Sequence, residues 1–137
     1  MQTRPGAVRA PYALVQNSET GAGVFAKRPL LADEILAVIP ALQFDRRLHE
    51  VWETERIAQC FLAHPADPQG YLLMLDPLTL CQISDAPNLV LNAVFHGSSG
   101  WRITAQAARN IGLGDELTRA RACSDWTIAD HPLPPGG

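Results

Sequence analysis

The chain has 137 residues, of which 47% are apolar and 18% charged, and it carries a net charge of -3. That length and balance describe one globular domain able to bury a core without disulfides or a structural metal. A weak negative charge gives no general attraction to nucleic acid or anionic membrane, no apolar run reaches the roughly 18 residues that span a bilayer, and Met1–Gly6 lacks the apolar core of a secretory signal. The expectation is therefore a cytoplasmic protein with no membrane and no nucleic-acid partner.

Tyr12–Val15 reads as a first strand, ended by the polar run Gln16–Gly21. Gly23–Ala26 reads as a second and Glu34–Ile39 as a third, which Pro40 should stop because proline donates no ladder hydrogen bond. From Asp45 to about Leu62 the spacing turns helical. Asp45 can cap, Leu48, Val51, Trp52 and Phe61 fall near one face, and Glu53, Glu55 and Arg56 sit largely opposite. His64–Gly70 is rich in breakers and reads as a loop. Tyr71–Leu75 resumes strand and Asp76–Pro77 turns. Leu89–Phe95 and Trp101–Ala107 read as the arms of a hairpin around His96–Gly100. His131–Gly137 has no core-forming content, so a single domain over 1–130 should end in a flexible tail.

Cys60, Cys81 and Cys123 form no Cys-x-x-Cys pair and are expected to be small buried hydrophobes rather than a disulfide framework or zinc cluster. The histidines His49, His64, His96 and His131 lack ligand spacing. His49-Glu50-Val51-Trp52-Glu53 starts like a zincin helix but has no second histidine, so no metal site is expected. An internal echo links Arg28–Leu36 with Arg109–Leu117: basic, any, aliphatic, two spacers, turn residue, acid, any, aliphatic. Each copy reads as a strand exit, a tight turn and a re-entry.

Three phrases carry chemistry. The first is Gly21-Ala22-Gly23-Val24-Phe25-Ala26, where glycines allow close backbone approach to a ligand. The second is Gln82-Ile83-Ser84-Asp85-Ala86-Pro87-Asn88, and the third runs from Arg109 to Thr118. Together they resemble the SET-domain family of protein-lysine methyltransferases over about Tyr12 to Arg121. The resemblance implies a mainly β (β-rich α+β), pseudo-knotted fold of small sheets with one main helix. It implies S-adenosylmethionine as cofactor, with no metal, held at Gly21, Ala22, Gly23 and Phe25 and at Gln82 and Ile83. The family's Asn-His pair is replaced by Gln82-Ile83, and Ile83 offers neither donor nor acceptor. The tyrosine that closes the family's third motif falls on Arg121, and the aromatic two residues earlier on Arg119. The cysteine-rich segment that follows the domain in some members is absent, Cys123 standing alone.

Methyl transfer to lysine needs a neutral amine aligned with a sulfonium methyl in a channel that excludes water. A guanidinium ~4 Å from a like charge at an effective dielectric of ~20 opposes it by about 4 kcal/mol, on the order of a thousandfold in rate. No catalytic residue is therefore assigned. Arg119, Arg121 and Cys123 alternate and would share one face of an extended segment. That face could be solvent-exposed, could grip a carboxylate or phosphate of an acidic ligand or protein partner, or could be a remodelled cofactor pocket. Asp115 and Glu116 could pair with the arginines. Tyr71 could line a channel or simply pack. The leading expectation is a catalytically degenerate binding module. The alternatives are an active methyltransferase with a remodelled site, and a structural module whose sheet edges pair in a homodimer.

Overall fold

The computed structural model describes residues 10–17, 21–45 and 60–129, most of them in strands. In chain order these are β1 (Tyr12–Asn17), β2 (Gly21–Ala26), β3 (Ile35–Asp45), β4 (Leu62–Ala63), β5 (Gly70–Met74), β6 (Gln82–Ile83), β7 (Leu89–Phe95), β8 (Trp101–Ala107), β9 (Thr118–Arg119) and β10 (Asp125–Ile128). Short 3-10 turns occupy Pro77–Leu80 and Gly97–Ser99. The body of the predicted helix, 46–59, and the tail 131–137 lie outside the described residues. The ends of that helix are strand: Asp45 closes β3 and Leu62 opens β4.

Six strands form one sheet in the order β10-β7-β8-β3-β5-β4, flanked by the β1–β2 hairpin and the β6–β9 pair. β8 alternates throughout and β7 as far as Val94, and their inward residues Leu89, Leu91, Ala93, Ile103, Ala105 and Ala107 are buried. They pack with Ile39 and Ala41 of β3 and Leu72 and Met74 of β5 in one apolar cluster. The alternation that marks a half-buried strand is thus what builds the core face. At the β7–β8 turn Gly97 and Gly100 take φ of 60° and 79°, a region side-chain-bearing residues avoid.

Pro40 does not stop β3. It lies opposite Arg102 of β8, and on its other side its carbonyl accepts Leu75 N–H at 3.0 Å, just past the end of β5. The missing N–H falls where that second ladder begins, at Ala41 opposite Met74, so the strand runs through the proline with one bond fewer.

The internal echo becomes a two-fold clasp. Leu30 and Ile111 exchange both backbone bonds, at 2.8 and 2.9 Å. Asp33 and Gly114 occupy matching turn positions with φ of 68° and 82°. Asp33 N–H reaches Ala107 O at 2.8 Å, as Gly114 N–H reaches Ala26 O at 2.9 Å. The acids match too: Glu34 accepts Leu31 N–H at 3.1 Å and Asp115 accepts Gly112 N–H at 2.9 Å. The two phrases therefore fix the β2 end and the β8 end of the molecule against each other.

A glycine-lined cleft and a second depression

The clasp delivers the third phrase to the first. Phe25 of β2 bridges Glu116, and Leu117 N–H donates to Val24 O at 2.7 Å. Asn88 then ties in the second phrase. Buried at 7% exposure, its side chain donates to Glu116 O at 2.9 Å and accepts Thr118 N–H at 2.8 Å, while its own N–H donates to Thr118 Oγ1 at 3.0 Å. β6 lies parallel to β9, pairing Gln82 with Thr118 and Ile83 with Arg119.

A cleft of about 320 Å³ results, lined by Val15, Gly21, Ala22, Gly23, Phe25, Gln82 and Glu116. That volume lies at the small end of the range that holds organic ligands. Five of the six positions carried over for the cofactor meet here: Gly21, Ala22, Gly23, Phe25 and Gln82. Gln82 Nε2 donates to Ala22 O at 3.1 Å and pins the glycine turn. Gly21 needs its freedom at φ 84°. Gly23 needs it for space, since a Cβ there would lie 2.8 Å from Glu116 Oε2. Glu116 was foreseen only as an arginine partner. Its carboxylate instead lies at Gly23, and Asp115 is used by its own turn.

Ile83 is not in this cleft. Neighbouring residues in a strand face opposite ways, and Ile83 lines a second depression of about 470 Å³ with Ser84, Asp85, Pro87 and the stretch Ala120 to Ser124. Arg121 lies there too and is exposed.

Arg119 departs furthest from expectation. It does not share a face with Arg121: it is 1% exposed and among the largest fully buried side chains. β9 ends at Arg119, so the alternation expected through Cys123 is lost. The guanidinium donates from Nη1 to Ala120 O at 2.9 Å and from Nη2 to Thr79 O at 3.2 Å, bracing β9 against the Pro77–Leu80 turn. Burial pulls its pKa below the usual guanidinium value, while the thiols Cys81, Cys60 and Cys123 act in the opposite sense. In turn, burial pushes the Cys81 thiol up to about 12 and the Cys123 thiol up to about 11, against the opposing pull of Arg119. Both thiols are thus protonated at neutral pH and are not nucleophiles.

The chain has two tyrosines. Tyr12 is buried, and its hydroxyl donates to the Asp76 carboxylate at 3.0 Å. Desolvation and Asp76 raise its pKa far above the ordinary phenol value. Tyr71 meets Phe61 edge to face at 6.3 Å, and Phe61 meets Phe44 at 5.6 Å. Neither tyrosine lines the cleft. Among the described residues no cluster of three or more histidine, cysteine or acidic side chains could hold a metal, and no helix is long and apolar enough to cross a membrane.

The residues present fit S-adenosylmethionine in part. The glycine turn and the Glu116 carboxylate suit the close approach and the positive charge of a sulfonium amino acid. Ile83 lines the second depression and not this cleft, and neither Tyr12 nor Tyr71 lines the cleft.

No protein-family model matches the chain, and no curated protein does. Solved structures do. A candidate histone methyltransferase from Plasmodium falciparum superposes with TM-score 0.61 at 20% identity, over 90% of this chain and 96% of that one. The SET8 protein of Cryptosporidium gives TM-score 0.62 at 15% identity, over 89% of this chain and 59% of the other. Chaetomium thermophilum polycomb repressive complex 2, in an autoinhibited conformation bound to S-adenosylmethionine, gives TM-score 0.62 at 17% identity over 85% of this chain. There the chain spans only 15% of the neighbour's length. At such identities the likeness is one of fold: this is a β-rich, SET-like fold.

Proposed function

We propose that the protein works as a binding module on a SET-like scaffold, with its glycine-lined cleft taking a cationic adenosyl ligand and methyl transfer lost. The observation that carries the reading is the fate of the two arginines. Where methylating relatives place rings, Arg119 is consumed in bracing the core and Arg121 stands exposed at the second depression. Both tyrosines are engaged elsewhere, so no phenol is positioned to orient an amine. Positioning supplies most of the acceleration in such a reaction. Without it, a bound sulfonium is held but not used.

Supplying the methyl group would be the role of S-adenosylmethionine, which one structural neighbour carries. Among the described residues, this chain contributes the turn at Gly21–Gly23, pinned by Gln82, and the charge of Glu116. The partner proposed is a protein or acidic ligand that meets Arg121 at the second depression. Isothermal calorimetry with S-adenosylmethionine, followed by mass spectrometry of added lysine peptides, tests the reading. Measurable binding with unmodified peptides is expected, and micromolar binding with methylated peptides would overturn it.

A further inference from the structure

His64 opens the loop between β4 and β5, and its ring is held in one protonation state. Nδ1 accepts Ala66 N–H at 3.1 Å and Asp67 N–H at 2.9 Å. A ring nitrogen that accepts from two amides carries no proton, so the imidazole is neutral with its proton on Nε2. Nε2 itself is buried with no hydrogen-bond partner, and the ring meets Trp101 of β8 edge to face at 4.9 Å. The loop closes tightly on it. His64 N–H donates to Gly70 O at 3.1 Å and Gly70 N–H to Asp67 O at 3.1 Å, while a Cβ on Gly70 would lie 3.2 Å from the His64 Cβ.

One residue earlier, Ala63 of β4 bridges Ala122 and donates to Arg121 O at 3.4 Å. Both Arg121 and Ala122 line the second depression. The imidazole thus latches the loop beside a strand that supports one wall of that depression.

We propose that His64 is a proton-sensitive latch: a proton on Nδ1 removes the acceptor of two amides, releases the loop from His64 to Gly70, and loosens the wall carrying Arg121 and Ala122. Among the described residues, the charged group bearing on the ring is Asp67, which favours the cation. Burial acts against the cation and is the larger effect, lowering the ring's pKa below its usual value of 6.5. Trp101 from β8 and Gly70 from β5 bring no charge to it. Because the folded form favours the neutral ring, the latch is fully closed above the unfolded value and is lost as pH falls below it.

His64→Asn is the discriminating variant, since an Asn side-chain oxygen accepts from amides two residues on and does not titrate. Amide hydrogen exchange at Ala63, Ala66 and Asp67, corrected for intrinsic rates, is measured from about pH 7.5 to about pH 5.5. The parent protein should lose protection across that range, by at most about tenfold, the limit for a one-proton opening over one pH unit, while His64→Asn stays level. Unchanged protection in the parent, or an equal loss in both proteins, overturns the proposal. Nitrogen chemical shifts of the parent at about pH 8 give a second check. A protonated Nδ1 there refutes the latch even if the variant does not fold.

Discussion

Replacing Arg119 by alanine separates a bracing arginine from a surface one. The side chain is 1% exposed and donates to Ala120 O and Thr79 O. A hydrogen bond to a charged group contributes about 1.5–3 kcal/mol, and a buried carbonyl left unpaired costs about as much again as its desolvation. With the void added, Arg119→Ala should lose about 3–5 kcal/mol. For a domain of this size that is a fall in Tm of roughly 10 °C or more. Arg119→Met keeps most of the volume and removes the charge, leaving two unpaired carbonyls, so it should lose about 2 kcal/mol. Urea denaturation of the three proteins, with m-values compared, gives the result directly. A loss under about 0.5 kcal/mol for Arg119→Ala is what a solvent-facing residue gives, and it would refute the burial argument and the reading built on it.

Further outcomes follow from other residues. Glu116→Gln should weaken a cationic adenosyl ligand by roughly tenfold, from the loss of about 1–2 kcal/mol of charge interaction; equal calorimetric affinity for both proteins would remove Glu116 from the site. Cys81 and Cys123 ionise only near 12 and 11 in the folded protein. Their unfolded forms ionise near 9, so stability should be intact below that value and fall as pH rises above it, and thiol labelling of the native protein at about pH 8 should be slow at both. Rapid labelling of either would contradict their burial. In the clasp, Gly114→Ala places a side chain at φ 82° and should cost about 1 kcal/mol or more, whereas Asp33→Gly at φ 68° should change stability by under about 0.5 kcal/mol. Thermal melts showing the two variants equal would dissolve the two-fold comparison.

Strands whose signal is local were legible. Leu89–Phe95, read as an apolar run, and Trp101–Ala107, read from alternation, appear with the expected bounds. Pro40 misled because the rule against proline assumes two full ladders, and here one ladder only begins at the next residue. The repeated phrase was visible as two turns, but that the copies pair with each other depends on tertiary placement. Ile83 could have been separated from Gln82 by strand alternation alone, had the two been read as a strand. No local rule marks Arg119 as buried. Arginine is rarely enclosed, and the carbonyls of Thr79 and Ala120, one of them distant in sequence, help make its enclosure tolerable. Glu116 was read by charge, whereas its place follows from the bridge to Phe25.

The central claim is that the scaffold persists without a positioned phenol and therefore without methyl transfer. A single-turnover assay with saturating tritiated S-adenosylmethionine and excess histone and lysine-rich peptides tests it most directly. The account predicts label remaining on the small molecule at the rate seen without protein. Label appearing on lysine within one turnover, and abolished by Tyr71→Phe, would contradict it and assign the missing role to Tyr71.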